Sequence, residues 1–417
     1  MKTKSGIQPD RIRADLVKFA RIGATPEGGV QRLSFSQQEI AARQLALHLM
    51  QAAGLSVRID GIGNLFGRVE GADPSLPPIW VGSHVDSVPS GGKFDGSVGV
   101  VAALEVARAL REDPEPLTRP VEAVVFVSEE SSRFGLATIG SGVVAGVLQP
   151  EEFLELRDAE GCRLGDLLAC QGFDAETIAS ARLSPGDVRA FFEVHIEQGR
   201  VLETEGAGIG VATAIANATR LQVRFLGRAD HSGATPMNLR RDALVAAAHL
   251  TTFVETLCRE TDPPVVGTVG VLKIQPGAMN VIPGTAEMGI DIRSTSGPAK
   301  ETVADQVEKR AREIAQERDL DVEIDLLGRG VPVEMGPEMV RLLEDVCRSE
   351  GHPYRLLPCG AGHDAMQVAR ITEAGLVLIP CREGISHNPA EWAELENVIR
   401  GAEVVLEAVR RLERKKG

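Results

Sequence analysis

Coordinating side chains follow several apolar stretches of this 417-residue sequence. They are His84 and Asp86 after "PIWVGS", Glu129 and Glu130 after "VVFVS", His195 after "FFEV", and His387 in the loop after "LVLIP". Asp95 adds another carboxylate just before a predicted helix. Because ligands collect at the carboxyl ends of strands in open parallel sheets, we expect these residues to meet in one site.

The set combines imidazoles and carboxylates without cysteine, which is typical of a hydrolytic Zn²⁺ or Mn²⁺ site. A carboxylate can bridge two cations, and two metals about 3.5–4 Å apart can polarise a carbonyl and lower the pKa of a shared water. A third carboxylate that stays off the metals is then needed to carry protons. Glu129 and Glu130 suit this division, because successive residues leaving a strand point to different sides.

Taken singly, each feature has a plainer interpretation. A lone His84-x-Asp86 pair is usually a surface pair, and adjacent glutamates at a strand end are usually solvated. Asp95 before "GSVG" suits a simple helix start, near the positive end of the helix dipole. Their joint occurrence at successive strand ends favours the metal site.

Composition narrows the class of partner. The formal net charge of −14, from 59 acidic and 45 basic residues, leaves no basic surface for nucleic acid and no polybasic membrane patch. The cysteines lack C-x-x-C spacing and suit free thiols in a reducing compartment. No segment has the length of a signal peptide's apolar core or of a membrane span. We expect a soluble, cytoplasmic protein that acts on small molecules.

The order of the predicted elements divides the chain into two domains. In residues 1–212 and 328–417, apolar runs alternate with helices, one of which begins with the capping box Ser36-x-x-Glu39. This pattern indicates an α/β domain whose mixed, mostly parallel sheet is covered on both faces. Residues 213–327 follow the order β-α-β-β-α-β of a ferredoxin-like α+β unit. The second helix of that unit has one apolar face, formed by Val303, Val307, Ala311 and Ile314.

Eight motifs carry a resemblance to a known family. They are "GSHVDSVPSGGKFDGSVGV", "SEESSRF", "EVHIEQG", "ADHSGATPMNLRRDA", "GAMNVIPG", "DIRS", "GAGHDAM" and "GISHNPAEW". In this order they resemble the amidohydrolase branch of the dimetal aminoacylase and carboxypeptidase superfamily. That branch contains N-carbamoyl-L-amino acid hydrolases, allantoate amidohydrolases and bacterial β-ureidopropionases. The resemblance covers nearly the whole chain, but it does not choose among these activities.

The resemblance implies a dinuclear site with two divalent ions per subunit, Zn²⁺ or Mn²⁺, with Co²⁺ or Ni²⁺ as alternatives. The implied ligands are His84, Asp95, Glu130, His195 and His387. In this scheme Asp95 bridges the ions, whereas His84 and His195 bind different ones. Glu129 is the implied general base, and Asp86 holds the free imidazole N–H of His84.

Further residues are implied to bind substrate. "HIEQG" resembles the carbamoyl and ureido enzymes more than the peptidases, and Gln198 within it is a candidate substrate contact. In the inserted domain, His231 is implied to donate to the reaction's oxyanion, and Asn280 and Arg293 to bind the substrate carboxylate. The domain is also implied to be a lid and to form a homodimer, in which His231 or Asn280 could serve the neighbouring site.

"GAGHDAM" provides three more candidates, Gly360, Gly362 and His363. Its glycines permit close approach of backbone to substrate. Relatives often have serine where this chain has Cys359, which puts a hydroxyl contact there in doubt. Cys359 and Cys381 are interpreted as packing residues.

The function expected from these features is metal-dependent hydrolysis of the carbamoyl C–N bond of N-carbamoyl-L-α-amino acids, with release of amino acid, ammonia and carbon dioxide. An allantoate amidohydrolase or a β-ureidopropionase is the nearest alternative. More remote alternatives are an N-acyl-amino acid or dipeptide hydrolase and a non-catalytic binding protein.

Overall fold

A computed structural model describes residue 3 and residues 5–414, without the side chain of residue 414. The helices are α1 (Pro9–Arg21), α2 (Gln37–Ala52), α3 (Ser97–Arg111), α4 (Ile139–Val144), α5 (Pro150–Phe153), α6 (Leu164–Cys170), α7 (Ala175–Ser180), α8 (Val201–Glu205), α9 (Ala243–Glu260), α10 (Gly297–Glu317), α11 (Pro337–Glu350), α12 (Asp364–Val368) and α13 (Leu395–Arg414). Short 3₁₀ helices lie at Met237–Leu239 and Arg382–Gly384.

The strands are β1 (Ser56–Ile59), β2 (Leu65–Val69), β3 (Ile79–His84), β4 (Val121–Phe126), β5 (Ala190–Ile196), β6 (Ile209–Ile215), β7 (Asn217–Leu226), β8 (Asp230–His231), β9 (Val266–Gln275), β10 (Val281–Ile282), β11 (Thr285–Ser294), β12 (Asp321–Arg329), β13 (Val333–Glu334), β14 (Tyr354–Cys359) and β15 (Ala374–Ile379). Among the residues described, no helix is long and apolar enough to cross a membrane.

The chain forms two compact units. The first contains residues 1–213, 335–357 and 363–417, and the second contains residues 214–334 and 358–362. From the sequence, we predicted that the chain re-enters the first domain at residue 328. The second unit extends further because its β13 pairs with the end of β6, where Val333 lies opposite Ile215.

The main sheet of the first unit is parallel at its centre and antiparallel towards its edges. Its strands run in the order β1-β2-β4-β3-β5-β15-β6. The neighbours β4, β3, β5 and β15 are parallel, whereas β1, β2 and β6 join antiparallel. The mostly parallel centre agrees with the sequence-based prediction and brings the carboxyl ends of four strands to one edge.

Both faces of this centre are covered, as the continuous apolar runs predict. On β3, Ile79 and Val81 belong to a core cluster that includes residues of α1, α3, α11 and α13. Trp80 points the other way and packs against Phe66 and Phe126, with ring centroids 5.1 and 6.3 Å apart. All six residues of β3 are therefore buried.

Helix α2 begins one residue after Ser36, as the sequence indicates, but only half of the capping box forms. The Ser36 hydroxyl accepts from the backbone N–H of Glu39 at 3.2 Å. The Glu39 carboxylate accepts from Phe35 N instead of the N–H of Ser36, and it also pairs with Arg43. The backbone N–H groups of Glu39 and Phe35 at the helix start therefore both have a side-chain acceptor.

In the second unit, four antiparallel strands lie in the order β12-β7-β11-β9. Helices α9 and α10 share a core with this sheet, and the chain order of these elements is the predicted β-α-β-β-α-β. Strand β11 alternates strictly between buried and half-buried residues, because only one of its faces is covered. The predicted apolar face of α10 lies in this core and comprises Val303, Val307, Ala311 and Ile314.

Candidate metal centre

The five expected ligands lie in two groups that share Asp95. One group is His84, Asp95 and His195, the other is Asp95, Glu130 and His387, and donor atoms within each lie within 4.8 Å of one another. Asp95 Oδ1 is 3.6 Å from His84 Nε2 and 3.1 Å from His195 Nε2. Asp95 Oδ2 is 3.1 Å from His387 Nε2, which is 3.3 Å from Glu130 Oε1. A single carboxylate therefore presents one oxygen to each group.

The grouping favours a different partition from the one that the resemblance implies. His84 and His195 were expected to bind different ions, whereas both imidazoles approach the same oxygen of Asp95. The strand order explains the pairing, because β3 and β5 are neighbours in the sheet. The two rings accordingly stack, with centroids 5.8 Å apart.

Backbone carbonyls fix the tautomer of both imidazoles. His84 Nδ1 lies 3.1 Å from the carbonyl oxygen of Asp86, and His195 Nδ1 lies 3.0 Å from that of Ile196. A carbonyl can only accept, so Nδ1 carries the proton and Nε2 of the neutral ring keeps its lone pair. Two such lone pairs then face a carboxylate oxygen, an arrangement that fits a cation between them.

The electrostatics of the site also favour a bound cation. Burial would lower the pKa of His84, but Glu129, Asp86 and Asp95 outweigh it and hold that pKa well above its ordinary value. Hydrogen bonds with Asp95 and Glu130 raise the pKa of His387 to about 10. The buried carboxylates thus favour positive charge at this position, which a divalent ion would supply.

Glycine allows Asp95 to approach the imidazole of His84. Gly96 is the N-cap residue of α3 and has a φ of 61°, in the left-handed region. A Cβ at this position would lie 2.5 Å from the ring of His84. Both the turn and the contact therefore require a residue without a side chain.

The carboxylate of Asp86 orients the two glutamates. Its oxygens accept from the backbone N–H groups of Glu129 at 3.1 Å and Glu130 at 3.0 Å. Its Oδ1 is 3.5 Å from His84 Nδ1, farther than its own backbone carbonyl oxygen. Both the carboxylate and the backbone carbonyl of Asp86 therefore face the imidazole of His84, and the carbonyl oxygen is the nearer of the two.

The two glutamates differ in what they face. Glu130 belongs to a ligand group, whereas Glu129 does not, although its Oε2 lies 3.7 Å from His84 Nε2. Burial raises the pKa of Glu129 well above the ordinary value, opposed by His84 and reinforced by Glu130. A carboxyl group with a raised pKa is suited to exchange protons.

Gln198 lies beside the second ligand group. Its side-chain Nε2 is 3.2 Å from Asp95 Oδ2 and 3.3 Å from His387 Nε2. Its Oε1 is buried and has no hydrogen-bond partner within the described part of the chain. The atom is thus available to a ligand, in keeping with the predicted substrate contact.

The residues of "GAGHDAM" separate. His363 is buried in the first unit, with its ring centroid 4.3 Å from that of His195. Burial and the nearby His195 lower the pKa of His363 well below its ordinary value. Gly360 and Gly362 are exposed in the segment that belongs to the second unit, and a Cβ on Gly360 would meet open space.

His231 and Asn280 meet in the two-stranded ribbon of β8 and β10. Val281 pairs with His231, and the backbone N–H of Ser232 donates to the carbonyl of Asn280 at 3.0 Å. His231 Nδ1 accepts from Gly233 N at 3.1 Å and from Ala234 N at 3.0 Å. The proton of the neutral ring is therefore on Nε2, which leaves an exposed N–H donor of the predicted kind.

Arg293 already uses part of its guanidinium. Its Nε and Nη2 donate to the carboxylate of Asp291 at 2.6 and 3.1 Å, and its Nη1 donates to Gly360 O at 3.4 Å. Asp291 also accepts from Arg220 Nε at 2.9 Å. The Nε edge is occupied, so a carboxylate ligand would have to approach the edge formed by Nη1 and Nη2.

The sequence interpretation missed two buried supports of the site. Arg32 donates to Val85 O at 2.6 Å and to Ser97 Oγ at 2.9 Å, and burial lowers its pKa to about 10. Glu391 accepts from the backbone N–H of Asp95 at 3.0 Å. The position of Glu391 within "GISHNPAEW", close to His387, was the one available signal; Arg32 stands in no motif.

Known proteins resemble this chain over nearly its whole length. A family model described as peptidase family M20/M25/M40 matches residues 80–411. The N-carbamoyl-L-amino acid amidohydrolase of Geobacillus stearothermophilus is 41% identical, over 97% of this chain and 98% of that protein. The allantoate amidohydrolase of Escherichia coli is 35% identical, over 94% and 95%. A hydantoinase/carbamoylase family amidase structure from Burkholderia multivorans has a TM-score of 0.89, at 35% identity over 97% of each chain. The chain therefore belongs to peptidase family M20/M25/M40.

Proposed function

We propose that this protein is a metal-dependent amidohydrolase that hydrolyses the carbamoyl C–N bond of N-carbamoyl-L-amino acids. One observation carries the proposal. The two carboxylate oxygens of Asp95 face separate ligand groups, and Glu129 lies close to His84 but belongs to neither group. The 41% identity to an N-carbamoyl-L-amino acid amidohydrolase supports the choice of substrate.

In this proposal each of the two ligand groups would hold one divalent ion. Bound there, they would polarise the carbamoyl carbonyl and lower the pKa of a water molecule. The residues in question are His84, Asp95, Glu130, His195 and His387. Because all are imidazoles or carboxylates, Zn²⁺ and Mn²⁺ suit the set, and Co²⁺ or Ni²⁺ are alternatives.

The protons are moved by Glu129. Its carboxylate takes a proton from the attacking water and gives it to the leaving nitrogen, as the C–N bond breaks. Carbamic acid or its substituted form then decomposes, so one water and one substrate give amino acid, ammonia and carbon dioxide. A raised pKa suits the carboxyl group of Glu129 to this exchange of protons.

The inserted unit provides the remaining groups in this proposal. The Nε2–H of His231 donates to the oxyanion, since its Nδ1 is held as an acceptor by two backbone N–H groups. The free edge of Arg293 and the amide of Asn280 bind the substrate carboxylate. Gln198, Gly360, Gly362 and His363 complete the set of proposed substrate contacts.

We also propose that the ferredoxin-like unit acts as a lid and forms a homodimer. Strand β9 is an edge strand of the four-stranded sheet and exposes apolar side chains, with Val266 66% and Leu272 47% exposed. Such an edge is suited to pairing with a second copy. Measurement of the molar mass in solution, before and after Leu272→Lys, tests this part.

An allantoate amidohydrolase is the second candidate, supported by the 35% identity to the Escherichia coli enzyme. A β-ureidopropionase would use the same chemistry on a longer acid. The distance between the carboxylate and the carbamoyl carbon differs among these substrates, so turnover separates them.

The decisive assay measures turnover of N-carbamoyl-L-methionine, allantoate and N-carbamoyl-β-alanine, with defined Mn²⁺ or Zn²⁺. We expect the first to have the highest kcat/KM, with release of ammonia and L-methionine. N-acetyl-L-methionine and a dipeptide are the matched controls, and release of acetate or free peptide products would favour the acyl or peptide hydrolase. A preference for allantoate would overturn the substrate assignment, and no turnover with any metal would favour a binding protein.

A further inference from the structure

We infer that Glu391 is a positioning residue, which holds Asp95 and His387 at the separation that metal binding requires. This inference rests on the proposed function, since it concerns the same ligands. It adds a residue that binds neither metal nor substrate.

Glu391 is almost completely buried, at 1% exposed, and its side-chain hydrogen bonds go to two loops of the site. Its Oε1 accepts from the backbone N–H of Phe94 at 2.8 Å and of Asp95 at 3.0 Å. Its Oε2 accepts from Ser386 Oγ at 2.9 Å. Three donors therefore converge on one carboxylate.

These contacts join segments that are far apart in sequence. Phe94 and Asp95 precede α3, whereas Ser386 and His387 lie between β15 and α13. The carboxylate of Asp95 and the ring of His387 then meet at 3.1 Å. Without Glu391, two main-chain N–H groups would be buried without their acceptor, and the loops would lose this direct connection.

Gly92 gives independent support for the same contact. A Cβ at Gly92 would lie 2.0 Å from the carboxyl carbon of Glu391. The φ of Gly92 is not in the left-handed region that favours glycine. The absence of a side chain at Gly92 is thus explained by the space that Glu391 occupies.

The test measures Mn²⁺ binding to the metal-free full-length protein by calorimetric titration. Glu391→Ala should weaken binding by about 10- to 100-fold, the range seen when a support of metal ligands is removed. Glu391→Gln should restore most of the affinity, because its amide oxygen can still accept from Phe94 and Asp95 while its NH₂ donates to Ser386. Gly92→Ala should reproduce the loss, because it displaces the carboxylate.

Glu122→Ala is the matched control. Glu122 is also a buried glutamate of the first unit, at 2% exposed, but it accepts from Trp80 Nε1 on β3 and lies in no ligand group. We expect Glu122→Ala to lower the thermal unfolding midpoint but to leave the Mn²⁺ affinity within about 3-fold of the wild-type value. This is a small change, since a tenfold difference in affinity corresponds to about 1.4 kcal/mol.

Metal titration of the wild-type protein and its variants distinguishes failure of the positioning role from failure of the proposed function. Wild-type protein that binds no Mn²⁺ or Zn²⁺ contradicts the proposed function. Wild-type protein that binds two ions, with Glu391→Ala and Gly92→Ala binding as tightly, contradicts only the positioning role. If Glu391→Ala does not fold, Gly92→Ala decides the question alone.

Discussion

The candidate residues of the two units occupy opposite environments. In the first unit, His84, Asp95 and His195 are buried and each contacts another member of the group. In the second unit, His231 and Asn280 are exposed and are joined through the backbone of a short ribbon. The first set could hold a small cation. The second set exposes polar side chains, which we propose bind a larger ligand.

The difference extends to how each unit fixes its side chains. In the candidate metal centre, backbone carbonyls set the tautomers of His84 and His195, and the carboxylate of Asp86 accepts from the backbone of Glu129. In the second unit, two backbone N–H groups orient the ring of His231, and the carboxylate of Asp291 and the carbonyl of Gly360 orient Arg293. Substitutions of the candidate residues in the first unit should therefore reduce activity more than those in the second unit.

The largest effect is expected for Asp95→Ala. This change removes the carboxylate shared by both ligand groups, so we expect fewer than two ions per chain and activity at background. Elemental analysis of the purified variant, together with turnover of N-carbamoyl-L-methionine, checks the result. Full metal content would show that Asp95 is not a shared ligand.

Glu129→Gln should separate proton transfer from metal binding. We expect two ions to be retained, with kcat reduced by about 10²–10⁴-fold, the usual contribution of an acid-base group. Steady-state kinetics with parallel metal analysis measures both quantities. Near-normal kcat would remove Glu129 from the mechanism.

Arg293→Lys tests the second unit at its strongest proposed contact. Lysine cannot form the two parallel bonds of a guanidinium, so kcat/KM should fall by about 10- to 100-fold with metal content unchanged. Arg220→Lys is the matched control, because Arg220 contacts the same Asp291. An equal loss of kcat/KM in both variants would indicate that the hydrogen bonds to Asp291 matter, and that Arg293 makes no contact with the substrate.

The smallest effect is expected for Asn280→Ala. The side chain is exposed, and the backbone carbonyl that accepts from Ser232 is kept. Loss of one neutral hydrogen bond to substrate should raise KM by about 2- to 10-fold. A loss comparable to that of Glu129→Gln would mean that the second unit is as preorganised as the first.

The sequence predicted the location of candidate residues that directly follow a buried strand. The apolar runs before His84, Glu129 and His195 predicted buried strands, and the parallel centre of the sheet brings their carboxyl ends to one edge. Periodicity likewise predicted the order of helices and strands in the second unit, because one face of its sheet and helices is buried.

Other features depend on contacts that no local pattern encodes. The grouping of His84 with His195 follows from the adjacency of β3 and β5, which the sequence does not specify. Glu391 and Asp95 are 296 positions apart, so their hydrogen bond follows from the fold alone. The short helices α4 to α7 lack a long periodic stretch, and they were not predicted.

The most direct test of the dinuclear account is anomalous diffraction from crystals of the Mn²⁺-loaded protein. The account predicts two peaks about 3.5–4 Å apart on either side of Asp95. One peak should lie by His84 and His195, and the other by Glu130 and His387. A single ion, or an ion pair that Asp95 does not bridge, would contradict it.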